Sequence, residues 1–176
     1  SSFAKAGIGA DPVSPRIAER FGVTGFSQFT GAEMIAQKHG FSRDDLDAYA
    51  LESHKRAAAA TESGAFQREI LPLTTPAGEH TRDEGIRYDA SAQSIGSVDT
   101  LTEGGVLSAA NASQICDGAS GVMIVSERAL KTHGLTPIAR IVDMTVTAGD
   151  PVIMLEEPIE ATRQALAKSG MTLDQI

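Results

Sequence analysis

Residues 109–121, Ala-Ala-Asn-Ala-Ser-Gln-Ile-Cys-Asp-Gly-Ala-Ser-Gly, constrain the fold more than any other stretch: they carry little side-chain bulk and run straight into the apolar segment 121–125. Residues with small or absent side chains let a bulky neighbour approach the main chain. Asn111 and Ser113 add short hydrogen-bonding groups that hold a non-repetitive path. Two readings fit this composition, a wall against which a ligand lies and a tightly packed crossover between two layers of an α/β fold.

The chain of 176 residues, 41% apolar and 22% charged, suits one ordinary domain or parts of two. Its net charge of -8 provides no basic field, which points away from nucleic acid and leaves any anionic ligand to a few local cations. The single cysteine excludes an intrachain disulfide. No apolar run approaches the roughly 18 residues of a membrane span and no signal segment opens the chain, so the cytoplasm is the expected location. The start at Ser1 and the final residues 171–176, which read as the approach to a further strand, predict a chain cut at both ends.

Glycines and prolines at Gly7, Gly9, Pro12, Pro15, Gly22 and Gly25 predict an irregular opening with a short amphipathic piece at 17–21. A helix is expected over 31–38, capped by Thr30 and stopped at Gly40. Ser42-Arg43-Asp44-Asp45 reads as a capping box opening a long helix, with Leu46, Tyr49, Ala50 and Ala57 near one face and Gly64 as its stop. The alanines 57–60 favour close packing over a solvated helix face. Residues 69–73 read as a short strand, 74–82 as a hairpin-type turn with Gly78 at its tip, and 83–102 as polar loop. Beyond residue 106 the pattern becomes α/β: strands at 121–125 and 138–146, a helix at 127–132 closed by Gly134, and a helix with Pro158 in its first turn. That last helix is expected to turn Ile159, Thr162, Ala165 and Leu166 inward and to end at Gly170.

Cys116 precedes Asp117-Gly118 at a possible helix start, where a thiol pKa would fall. The neighbouring Asp117 opposes ionisation and no histidine is near in sequence, so a small buried thiol in a packed turn is the preferred reading. His39, His54, His80 and His133 fit no metal-ligand spacing, and His39 and His133 suit helix C-termini. The pairs Asp44/Asp45 and Glu156/Glu157 flank helix starts, where acids are electrostatically favoured over an acid/base role. No phosphate-cradling glycine loop is present.

Several segments, in order, resemble thiolases, the acyl-CoA C-acyltransferases. They are Phe41-Ser42-Arg43-Asp44-Asp45-Leu46-Asp47-Ala48-Tyr49-Ala50 with Ser53-His54, Gly64-Ala65-Phe66, Glu69-Ile70-Leu71-Pro72, Asp83-Glu84-Gly85-Ile86-Arg87, the run 110–119 and the run 134–142. The resemblance covers about residues 29–176. It implies part of a five-layered α-β-α-β-α core with an inserted, mainly helical loop domain that covers coenzyme A. On that pattern residues 1–105 form the loop domain, 106–134 the end of the N-terminal half and 135–176 the start of the C-terminal half.

The same resemblance implies that Arg87 packs on the adenine and Ser94 makes a nearby polar contact. Ala109 and Ser113 would wall the pantetheine arm, and Leu101 (with a one-residue gap) and Met154 would line the tunnel. The implied reaction is acyl transfer between a cysteine and coenzyme A or an acyl-CoA, in the thiolytic or the condensing direction, as in β-oxidation and lipid metabolism. It needs a nucleophilic thiolate, a second thiol and a histidine. The family's nucleophile lies upstream of the matched segment and its Asn-Glu-Ala-Phe, His-Pro and second-cysteine motifs lie downstream, so no catalytic residue and no metal ligand is assigned here. Cys116 stands where the family has Ser or Asn. Ala110 replaces a Gly, and Leu155-Glu156-Glu157-Pro158 replaces a Gly-rich turn.

Coenzyme A or its thioester is the implied substrate and no permanently bound cofactor is implied. A homodimer or homotetramer is the implied assembly. Gln28-Phe29 leans toward degradative members. The alternative from a different class is a non-catalytic module of the same fold that binds CoA esters or a protein partner.

Overall fold

A computed structural model describes residues 13–176. The expected irregular path at Gly7, Gly9 and Pro12 lies outside them. Helix α1 (Pro15–Phe21) starts because the Ser14 hydroxyl accepts the Ile17 N–H and Pro15 occupies the first turn, where its missing N–H costs nothing. Helix α2 (Gln28–His39) opens earlier than the Thr30 cap predicts. The Ser27 hydroxyl accepts the Thr30 N–H at 3.4 Å, so Ser27 does the capping.

Helix α3 (Arg43–Glu62) carries the expected capping box. Asp45 N–H donates to the Ser42 hydroxyl at 3.2 Å and Ser42 N–H donates to the Asp45 carboxylate at 2.8 Å. The Ser42 hydroxyl, then the Ser42 N–H, hold the Asp45 carboxyl below its ordinary value of 3.8. A depressed carboxyl contributes stability above its unfolded value and loses it as pH falls through the folded value. Ser42→Ala is therefore expected to cost about 1 kcal/mol at neutral pH. That cost should shrink as pH drops below 3.8, which urea titrations at two pH values would read. A cost independent of pH would disprove the coupling.

The covered residues of α3 are Arg43, Leu46, Asp47, Ala50, Leu51, His54, Ala57, Ala58, Ala60 and Thr61, mostly at helical spacing. Tyr49, expected on the covered face, is 79% exposed. Leu46, Ala50 and Ala57, also expected there, are half-buried, and the most covered residue is the polar Asp47, which an apolar pattern passes over. Within the alanine run Ala57, Ala58 and Ala60 are half-buried and Ala59 is exposed, which fits packing for most of it.

After α3 the chain keeps turning, with Ile70 N–H on the Phe66 carbonyl at 3.1 Å, so residues 69–72 form no strand. Pro72 has no N–H to give a ladder. Pairing begins at β1 (Leu73–Thr75), antiparallel to β2 (Gly78–His80), with Leu73 opposite His80 and Thr75 opposite Gly78. Gly78 thus opens the second strand, and Pro76-Ala77 makes the turn. The expected loop 83–102 contains a short helix, α4 (Ala92–Gly96), under a Ser91/Ser94 capping box.

Two compact units divide the chain. One is Ala36–Asp117; the other combines the described residues up to Ile35 with Gly118–Ile176. In the second, α5 (Glu127–His133) ends at Gly134 and α6 (Glu157–Ser169) at Gly170, as expected. The half-buried residues of α6 are Glu157, Glu160, Ala161, Gln164, Ala165, Leu166 and Ser169. Ile159 (49% exposed) and Thr162 face outward, so two of the four residues expected inside are not. Lys168 Nζ reaches the Met144 carbonyl at 3.5 Å.

Segments 121–125 and 138–146 follow no strand ladder, and Ile138 and Val122 are 105% and 87% exposed. Among the described residues the ladders are β1–β2 and a single Thr100–Ser108 bridge. A strand exists only through a partner's hydrogen bonds, so apolar alternation alone cannot form one. Residues 173–175 wind into a 3-10 turn (Leu173–Gln175), where a strand approach was expected. Gly31 lies so close to the 153–154 loop that a Cβ there would stand 2.5 Å from the Ile153 carbonyl oxygen. That approach needs glycine. Met154, on the same loop, takes a left-handed φ of 42°.

Candidate ligand site

The unit Ala36–Asp117 is held by a polar cluster as much as by its apolar core of Ala36, Ile95 and Leu107. Arg43 and Asp47, one turn apart on α3, form an ion pair at 2.7 Å. The Arg43 Nη2 also donates to the Ile95 and Val98 carbonyls at 3.2 and 2.8 Å, tying α3 to α4 and its C-terminal turn. The other Asp47 oxygen accepts Asn111 Nδ2 at 2.9 Å, and that same amide nitrogen donates to the Val106 carbonyl at 3.0 Å.

Asn111 Oδ1 accepts the N–H of Ser108, a residue with 0% exposure, at 2.8 Å. The Ser108 hydroxyl in turn accepts the Ala110 N–H at 3.2 Å. Every polar edge of the Asn111 amide is thus engaged in fixing the 106–112 path, as its residue type predicts. The roles of Asp47, which holds Asn111, and of Arg43, which pairs with Asp47, were not read from the sequence. Their four-residue spacing with opposite charges is the signal that marks them.

The small-residue loop is fixed at its far end as well. Gln114 Nε2 donates to the Gly85 carbonyl at 2.7 Å, which sets residues 113–114 beside the 83–87 segment. Asp83 Oδ1 accepts the Gly85 N–H at 2.7 Å and closes the turn that leads to Arg87. The Arg87 N–H donates to His54 Nδ1 at 3.2 Å, so α3 supports this loop from below.

Above the C-terminal half of α3 lies a hollow of about 230 Å³ lined by His54, Lys55, Ala58, Ala59, Glu62, Arg87, Tyr88 and Ala90. The two alanines supply its floor because they lack bulk. Tyr88 is oriented from outside: Arg82 Nε donates to its hydroxyl at 2.9 Å, and the guanidinium lies 4.4 Å from the ring centroid. The sequence reading found Arg87 but not Lys55 or the alanine floor. Their common feature is the 54/55, 58/59, 62 spacing of one helix face.

Of the residues implicated from sequence, Arg87, Ser94, Leu101, Ala109 and Ser113 all belong to the unit Ala36–Asp117, and Met154 to the other. Arg87 and Ser113 lie in segments joined by the Gln114–Gly85 bond. The Ser94 hydroxyl works in the α4 cap, accepting the Ser91 N–H at 2.9 Å and donating to the Ser91 carbonyl. Leu101 is part-exposed, its N–H bound to the Leu107 carbonyl at 2.8 Å next to the Ser108 bridge. Ala109 and Ser113 are exposed. Met154 packs its side chain beside Gly31.

Cys116 is exposed and no helix starts there, contrary to the buried turn expected. Residues 113–125 form no helix or ladder that covers the thiol. Among the described residues no group of three or more His, Cys, Asp or Glu could hold a metal ion, and no helix is long and apolar enough to cross a membrane.

Residues 23–128 match the family described as thiolase, N-terminal domain. The chain is 48% identical over 157 residues to the steroid 3-ketoacyl-CoA thiolase of Mycobacterium tuberculosis, covering 89% of this chain and 38% of that protein. It is 40% identical over 147 residues to the mitochondrial 3-ketoacyl-CoA thiolase of Mus musculus, covering 81% and 37%. The solved structure of human mitochondrial 3-ketoacyl-CoA thiolase in complex with CoA superposes with a TM-score of 0.81 at 32% identity, covering 96% of this chain and 45% of that one. The chain spans about two fifths of the length of the curated relatives it matches.

Proposed function

Because this chain belongs to the thiolase family, we propose that it supplies the coenzyme A-binding portion of an acyltransferase acting on 3-ketoacyl-CoA or, in reverse, condensing acyl-CoA units. Residues 1–105 serve as the cover over the cofactor, 106–134 close the first catalytic half and 135–176 open the second. A homodimer or homotetramer in the cytoplasm belongs to the same reading. The acyl group passes to a cysteine thiolate and from there to the thiol sulfur of CoA; in thiolysis the carbon–carbon bond breaks as the proton reaches the departing carbanion. Those steps need two thiols and a histidine, one thiol more than this chain's single cysteine can supply.

One observation carries the reading. The path of 106–112, with exposed Ala109 on it, is fixed by Asn111, and exposed Ser113 follows it beside Gln114, which bonds the loop that leads to Arg87. A narrow thioester arm suits a wall of small residues, and a purine suits a guanidinium that stacks and meets phosphate charge. In this role Arg87 faces the adenine, Ser94 makes a polar contact, Ala109 and Ser113 line the arm, and Leu101 and Met154 correspond to apolar tunnel positions of the family. The 3-ketoacyl-CoA names of the relatives support the substrate class.

Arg87→Ala is expected to weaken CoA binding to the protein carrying this chain by about 1–2 kcal/mol, the worth of a stacked, partly desolvated cation. Isothermal calorimetry reads it directly. Unchanged affinity removes Arg87 from the site.

A further inference from the structure

Lys55 and Arg87 line one hollow, and Arg87 is fixed there through its N–H on the residue that precedes Lys55, His54. Lys55 lines the hollow one helical turn before Ala58 and Ala59, whose small side chains leave room for a ligand, and both cations are exposed. Glu62 is the carboxylate on the same lining, which leaves a local charge of +1 from two cations and one anion in a chain whose net charge is -8. Acids dominate the chain as a whole, so this is a place where an anion meets attraction.

We infer that Lys55 is a specificity-determining residue that reads the ribose phosphomonoester of coenzyme A, separating CoA thioesters from ligands that share only the pantetheine arm and diphosphate. This deepens the reading of the protein as CoA-binding and rests on it. A phosphomonoester carries about -1.5 to -2 charge at neutral pH. Arg87 takes the flat purine face, where a planar guanidinium is suited. Lys55, a compact charge on a flexible stem, suits the dianion beside it. The pairing is solvent-exposed, so its worth is that of a surface charge pair, up to about fivefold in affinity, and it weakens with salt.

The test is calorimetric titration of the protein carrying this chain with CoA and with dephospho-CoA, which lacks only that phosphate. The native protein is expected to prefer CoA by about fivefold. Lys55→Met, which keeps the apolar stem, is expected to lower CoA affinity to that of dephospho-CoA and leave dephospho-CoA binding unaltered; Lys55→Arg should restore the preference. Equal binding of the two ligands by the native protein, or a preference that survives Lys55→Met, overturns the inference. Arg87→Ala in the same titration separates the two levels. If it changes neither ligand's affinity, the CoA reading falls and takes this inference with it. If it weakens both while Lys55→Met does nothing, the role of Lys55 alone is refuted.

Discussion

Asp47→Ala is expected to destabilise the chain by about 3 kcal/mol, at the lower end of what breaking a buried ion pair costs. Asp47 is 8% exposed and serves two partners through its two oxygens, Arg43 at 2.7 Å and Asn111 at 2.9 Å. Removing it leaves a guanidinium without its counter-ion and an amide N–H without one acceptor. The loss stays at the lower end because the Arg43 side chain keeps 23% exposure and both carbonyl partners. Asp47→Asn retains an acceptor for Asn111 and removes the charge, so it should cost roughly half as much. Urea unfolding with an unchanged m value would measure both. A cost for Asp47→Ala below about 1 kcal/mol, the average for any substitution, would mean the cluster does not hold this unit together.

The second large effect is expected at Asn111. Asn111→Ala strips the buried Ser108 N–H of its acceptor and takes the donor from Val106 and Asp47, a combined cost of about 2–3 kcal/mol. Because those bonds set the 106–112 path, the substitution should also lower CoA affinity more than Arg87→Ala does. Amide exchange at Ser108 should accelerate well before global unfolding. Asp47→Ala and Asn111→Ala together should cost less than their sum, since each removes the bond they share. Additive costs, or slow exchange at Ser108 in the Asn111 variant, would refute this account of the loop.

The capping of α3 by Ser42 and Asp45, the stop at Gly64, the Pro158 entry and the Gly170 exit were all legible in the sequence. Each is a bond or steric preference between residues within a turn of one another. Asn111 was legible as a loop-holding group, because an amide among small residues has little else to do. The resemblance that leads to thiolases was legible too, and residues 23–128 bear it out.

The early start of α2 was missed because Ser27 and Thr30 are both competent caps and spacing does not choose between them. Tyr49 was misplaced on α3 because the most buried residue of that helix is an aspartate, which a search for apolar stripes passes over. Of the strands expected beyond residue 120, 121–125 came from a continuous apolar run and 138–146 from alternation, both properties of side chains, whereas a ladder depends on where another backbone lies.

The sequence by itself determined the capped start of α3, the glycine-closed ends of α5 and α6 and that the 109–121 backbone is lightly clad, because such preferences are settled within a few residues. Only the tertiary structure decided what holds that backbone and what faces it. Asp47 reaches Asn111 across 64 residues and Arg87 reaches His54 across 33. Bonds of that span arise only when the chain has already closed the intervening loops, and the local residue pattern carries no term for that closure.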